Sequence, residues 1–204
     1  MNRILIWDIP TRVFHWLLAV SFVGAYLTAE TEKFRNLHLA LGYTMLGLIV
    51  FRIFWGFAGT RYARFSSFRF GIGDVKTYLQ SLLSSPKHYL GHNPAGALAI
   101  FALMSLAVLT PLVGIALYFE VGGYSLEELW EESHEMLGNA MLLVVLGHLA
   151  GVVVSSVIHK ENLVGSMING HKQGPAELGI SRAYPLIGMI LVLAVLGFWW
   201  VYLR

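Results

Sequence analysis

Residues 134–148 read HEMLGNAMLLVVLGH, an apolar run closed at both ends by histidine. Fourteen residues separate His134 from His148. On an α-helix, at 100° per residue, that interval returns to within about 40° of the same face and covers about 21 Å of axis. His15 and His38 open two further apolar stretches, with a turn between them. If successive helices alternate direction, His15 falls at the depth of His148, and His38 at the depth of His134. The pattern predicts two histidine pairs at two depths in a bundle of membrane helices.

The composition points the same way. Of 204 residues, 56% are hydrophobic and 13% charged, against roughly 45–50% and about 25% in soluble domains. Apolar blocks at 13–29, 39–57, 94–119, 137–158 and 183–203 each approach or exceed the ~20 residues needed to cross about 30 Å of hydrocarbon. The expected fold is all-α: one integral membrane helical domain, residues 1–204, with five transmembrane helices. The opening ten residues carry Arg3 and Asp8, and no A-x-A-like site follows the first apolar run, so no cleaved leader is expected. Cysteine is absent, which excludes disulfides, thiolate metal sites and covalent C-x-x-C-H haem attachment.

The loops give an orientation. With the N terminus inside, eleven bases collect on the inner side: Arg3, Arg12, Arg52, Arg61, Arg64, Arg69, Lys76, Lys87, Lys160, Lys172 and Arg182. Three, Lys33, Arg35 and Arg204, fall outside. By the positive-inside rule this predicts N-in, C-out. The net charge of +2 matters less than this distribution, which reads as topology signals and lipid contacts. Nucleic-acid binding is not expected, because no recognition helix or aromatic-interleaved basic stripe is present.

Between the blocks, Asp8 and Thr11 suit the cap of a first helix beginning near Arg12. Residues 73–83 suggest a short amphipathic helix with Tyr78, Leu79 and Leu82 inward. Pro111 should bend or loosen the third apolar helix. Residues 120–135 read as an acidic outer loop carrying Glu120, Glu127, Glu128, Glu131, Glu132 and Glu135. Residues 159–182 read as a connection rich in Gly and Asn. Trp7, Trp16, Trp55, Trp130 and Trp199 fall at block ends and suit an aromatic belt.

For one histidine in an apolar helix, an interhelical hydrogen bond or an interfacial position is the ordinary explanation. Four at matched depths mark a site. A neutral imidazole ligates haem iron, and a second axial histidine leaves no open position, which favours electron transfer over oxygen chemistry. The expected metal ligands are His15, His148, His38 and His134, holding two non-covalent haems. Gly42 and Gly138 each follow a ligand by one turn, and Gly151 follows His148 by three residues, leaving room for a flat macrocycle. Gly47, Gly114 and Gly147 suit close helix packing instead. Arg12 and Arg52 are the inner candidates for propionate contact and Arg35 the outer one; headgroup anchoring is the competing role. His92, in Gly91-His92-Asn93-Pro94, reads as interfacial, with a helix cap or a propionate contact as the alternative; His88 reads as interfacial, His159 as a proton acceptor near a quinone at the inner interface, and His171 as a loop residue. His134-Glu135 lacks the second histidine of H-E-x-x-H, which argues against a zinc protease.

In order, the features Trp7-Asp8…Arg12…His15-Trp16, Arg35-Asn36…His38…Gly42, Arg52…Trp55-Gly56, Gly91-His92-Asn93-Pro94…Gly96, His134-Glu135…Gly138…His148 and Lys160-Glu161-Asn162…Met167…Gly170 resemble the bacterial cytochrome b561 and nickel–iron hydrogenase b-type subunit superfamily. The resemblance covers about residues 7–170. It implies two haems b in a four-helix core, with His15 paired to His148 and His38 to His134, in the bacterial inner membrane. It also implies electron transfer between a quinone pool and a redox protein, such as a periplasmic c-type cytochrome, a hydrogenase or another oxidoreductase subunit. The fifth helix is an addition to the four-helix members and suits a dimer face or the docking of another subunit.

The function expected is therefore a di-haem conduit with no catalytic residues of its own, working as an electron-transfer protein or as the quinone-reactive subunit of an oxidoreductase. The alternative is a haem-containing anchor or scaffold subunit of a larger complex. A transporter fits poorly, because the five blocks lack an inverted pair of broken segments and the intramembrane acids of ion coupling.

Overall fold

The computed structural model describes residues 2–68, 71–82 and 84–204. Arg69, one of the bases assigned to the inner side, and Leu83 lie outside the described residues. A short strand β1 (Asn2–Leu5) precedes helices α1 (Ile9–Thr28), α2 (Arg35–Ala58), α3 (Ile72–Leu82), α4 (Pro94–Tyr118), α5 (Tyr124–His159) and α6 (Leu163–Asn169). Strand β2 (His171–Gly174) and helix α7 (Pro185–Tyr202) follow. The protein is an all-α membrane bundle with one small ribbon.

Among the described residues four helices are long and apolar enough to cross a membrane: α2 with its preceding turn, α4, α5 and α7. Helix α1 spans 20 residues, but Pro10, Arg12 and His15 in its first two turns dilute its apolar character. It nevertheless packs along α2 and α7 and contributes Phe14 and Phe22 to the core shared by all five long helices. That core is completed by Met45, Leu48 and Ile49 of α2, Ala107 of α4, Met141 of α5, and Leu191 and Val195 of α7.

The same device starts α1 and α4. Asp8 accepts a hydrogen bond from the Thr11 amide at 2.8 Å, and Asn93 one from the Gly96 amide at 2.7 Å. In each case proline occupies the first turn, where its missing N–H costs nothing. Helix α4 continues through Pro111, which is buried against the bundle.

Several sequence expectations need correction. Residues 124–135 form not a loop but the first three turns of α5, which runs for 36 residues. Glutamate is a good helix former, and Glu127 lies in the first turn, where the helix dipole favours an acid. A helix of that length reaches about 54 Å, so its acidic start projects well beyond a hydrocarbon layer of about 30 Å. In α3, Tyr78 and Ser81 are buried, but Leu79 is 50% exposed, against the inward position expected of it. Trp7 and Trp55 do not join a peripheral belt; both are buried.

The ribbon was not foreseen at all. Strand β1 pairs antiparallel with β2, Asn2 opposite Gly174 and Leu5 opposite His171. The Gly170 carbonyl accepts from the Ile6 and Trp7 amides at 2.8 and 3.0 Å, and the Leu5 carbonyl from the Ile180 amide at 2.8 Å. Gly170 holds φ at +84°, and a Cβ there would lie 2.7 Å from the Trp7 carbonyl, so the close approach requires glycine. A second small core of Ile4, Ile6, Trp7 and Tyr62 forms beneath, and it caps one end of the bundle.

Candidate functional site

The structure brings His38 and His134 together. At the end away from the ribbon, His38 near the start of α2 faces His134 of α5, with ring centres 5.9 Å apart and planes inclined by 72°. The His38 Nδ1–H donates to the Ala25 carbonyl of α1 at 2.9 Å, and the His134 Nδ1–H to the Thr110 carbonyl of α4 at 2.9 Å. Because a carbonyl only accepts, Nδ1 of each ring carries a hydrogen, which leaves Nε2 as the atom a neutral ring has free for a metal. His38 and His134 would be the residues to hold a haem iron at this end, each supplying an imidazole nitrogen, and ring centres 5.9 Å apart fit one metal ion held between them.

The ring of His134 rests on Gly114. A Cβ at that glycine would lie 2.7 Å from His134 Cε1, so Gly114 gives the imidazole its place, where the sequence suggested only helix packing. Nothing lies within 4 Å of a Cβ built on Gly138 or Gly151, and only Pro111, at 4.0 Å, near one on Gly42. Helix α5 lies close to α4 and stands off from α1 and α2. Tyr26 reaches across that gap to donate to Asn139 Oδ1 at 3.0 Å.

His15 of α1 and His148 of α5 lie toward the ribbon end, where Trp16 beside His15 donates to the Met167 carbonyl of α6. Their surroundings are rich in polar atoms without partners: among the described residues, His15 Nδ1, Arg12 Nε and Arg52 Nη1 are buried and unbonded. Arg52 is 3% exposed, so it does not reach for headgroups. Its guanidinium lies over the rings of Phe65 and Phe68, at 4.7 and 5.8 Å. The fully buried carboxylate of Asp8 is nearby but engaged with neutral donors, Trp55 Nε1 at 3.1 Å, Thr60 Oγ1 at 2.6 Å and the Thr11 amide. Among the described residues no carboxylate pairs with Arg52. A buried cation in that condition fits an anionic ligand group such as a propionate. Arg12 donates from Nη1 to the Ile168 carbonyl, while Arg35 is exposed at the other end with its guanidinium over Tyr118 at 5.7 Å.

His92 belongs to the same neighbourhood, where the sequence suggested an interfacial residue. Its ring lies between Trp7 and Phe68, at 4.7 and 4.4 Å. Burial pushes its pKa down to about 3, with Arg52 and Lys172 adding to the effect, so it is neutral. The one sequence signal for this was the Gly91-His92-Asn93-Pro94 motif.

The model of the prokaryotic cytochrome b561 family matches residues 6–170, which include all four histidines and the ribbon-end cluster. The chain belongs to the prokaryotic cytochrome b561 family. The chain is 27% identical to a probable Ni/Fe-hydrogenase B-type cytochrome subunit of Rhizobium leguminosarum bv. viciae, over 84% of this chain and 89% of that protein. It is 28% identical to the corresponding Azotobacter vinelandii protein, over 83% and 88%. With the probable Ni/Fe-hydrogenase 1 B-type cytochrome subunit of Escherichia coli (strain K12) it shares 24% identity, over 82% and 89%. No solved structure matches. As a cytochrome b561 family member the protein is a multi-pass membrane cytochrome of the haem b type, acting in electron transfer.

Proposed function

We propose that the chain binds two haems b, one between His38 and His134 and one between His15 and His148, and relays electrons between the quinone pool and a redox protein partner. The observation that carries this reading is the His38–His134 pair, whose rings stand 5.9 Å apart with both Nδ1 hydrogens tied to the main chain. The haems supply the one-electron redox chemistry. The histidines supply Nε2 lone pairs held in fixed directions, so little reorganisation is needed around a change of oxidation state. Arg52 and Arg12 neutralise anionic groups at the ribbon end, and Arg35 does so at the other. Gly42 and Gly138 keep the backbone accessible.

A quinone headgroup suits an open groove of about 440 Å³ on α5 and α6, lined by Val152, Val153, Val157 and Val164 with Lys160 and Glu161 at its polar edge. Val152 is one turn beyond His148, so a ring docked there is near the ribbon-end pair. The distribution of bases supports a ribbon end in the cytoplasm and a C terminus in the periplasm of the bacterial inner membrane. The acidic start of α5 then faces the periplasm, where it suits a partner with a basic face. The relatives' names favour a hydrogenase as that partner, with this chain as the membrane subunit of the complex.

The test is reduction of the purified protein by a soluble quinol, followed by absorbance and compared with dithionite. Both reagents should reduce both haems. Full reduction by dithionite and none by quinol would leave a haem-containing anchor subunit instead.

A further inference from the structure

A second set of titratable groups lies at the ribbon end. Lys172 of β2 is 6% exposed and donates from Nζ to Glu161 Oε2 at 3.0 Å. The same oxygen is 3.4 Å from His88 Nε2, and the His88 ring meets that of His159 edge-on at 5.3 Å. From α3, Tyr78 shares a hydrogen bond with Ser155 of α5 at 3.2 Å and meets Tyr89 edge-on at 5.7 Å. Together they enclose a cavity of about 40 Å³. One water needs ~10–15 Å³, so the cavity has room for about three. Among the described residues no three of these side chains converge as metal ligands.

The position of the cavity suggests its use. Glu161 lines both this cavity and the valine-lined groove. His159 follows His148 by eleven residues on the same face of α5, which is about 16 Å along the axis. The two histidines share the cavity with the Glu161 carboxylate and the Lys172 ammonium, and Tyr78 and Tyr89 add hydroxyls.

We propose that this cavity is a redox-linked proton site, in which His88, joined through Glu161 to Lys172, and His159 against its ring take up part of a proton from water, at most about 0.4 per electron, when the His15–His148 haem gains an electron. The proton returns to water when the electron leaves. The electron comes from a quinol and the proton from bulk solvent, so the uptake offsets part of the negative charge added at this end of the bundle. The inference rests on the di-haem reading above. At ~16 Å and an effective dielectric of ~20, a unit charge changes proton affinity about sixfold, equivalent to about 45 mV for a one-electron couple.

The experiment is a spectroelectrochemical titration of the full-length protein between about pH 5 and 8, the range in which histidine titrates. Wild type, His88→Gln, His159→Gln and the double variant are compared. One of two midpoint potentials should fall as pH rises, by about 45 mV in total, and the double variant should lose at least half of that shift. The other potential should be unaffected. His88 is 44% exposed, so His88→Gln alone decides the matter, by a reduced shift, if the double variant does not fold. Two potentials in wild type with neither moving, or a shift that persists in full in the variants, overturns the site and leaves the di-haem reading intact. A single potential, or none, overturns both.

Discussion

At the end of the bundle away from the ribbon, His38 and His134 are held by main-chain carbonyls of α1 and α4, and their rings already stand 5.9 Å apart. At the ribbon end, His15 Nδ1, Arg12 Nε and Arg52 Nη1 are, among the described residues, buried without partners. One end is ordered by main-chain hydrogen bonds; the other holds buried polar atoms that an anionic group would satisfy. A buried polar atom without a partner costs about 1–3 kcal/mol, so the ribbon-end site has most to gain from an occupant. That end is also the one covered by the ribbon and its small core, which lock Trp7 and His92 against it.

The largest expected effect is loss of a haem. His38→Ala and His134→Ala should each remove the same haem, and His15→Ala and His148→Ala the other, read as the disappearance of one of two midpoint potentials. Loss of both in every variant would mean that the sites form as one unit, and the contrast between them would collapse.

Arg52→Gln comes next. Removing a buried cation should favour the oxidised state of the ribbon-end haem and lower its potential, by about 1–2 kcal/mol for a charge ~10 Å away at an effective dielectric of ~20. Redox titration should find the other haem unmoved. An equal fall in both potentials would indicate a general loss of structure instead.

Gly114→Ala sharpens the other half of the comparison. The added methyl meets a ring that Thr110 holds in place, and overpacking of this kind costs about 1–3 kcal/mol. The absorbance and spin state of the outer haem should change while the ribbon-end haem keeps its spectrum.

These contrasts also show what the sequence could reveal. The spacing of His134 and His148 and the five apolar blocks depend on local periodicity, and helices stand at all five blocks. The ribbon was hidden because Asn2–Leu5 finds its partner near the other end of the chain, and two four-residue strands carry almost no periodic signal. Burial of Arg52 and Lys172 was equally hidden. A base in a loop or near a helix end reads as a topology signal until the chain folds over it, as Phe65, Phe68 and Glu161 do here. Gly114 looked like any small residue in a membrane helix, since its neighbour His134 lies on another helix.

The smallest effect belongs to the acidic start of α5. Changing Glu127, Glu128, Glu131 and Glu132 to glutamine should slow electron exchange with a basic partner at low ionic strength and flatten its salt dependence, without altering either haem spectrum. Stopped-flow traces of the co-purified partner that are identical for both proteins across the salt range would remove this role.

The central claim is two histidine-ligated haems in one chain, and a pyridine haemochrome assay against protein concentration tests it most directly. Fully loaded wild type should give two non-covalent haems b per chain, both low-spin and six-coordinate. One haem per chain, or none, would contradict the account.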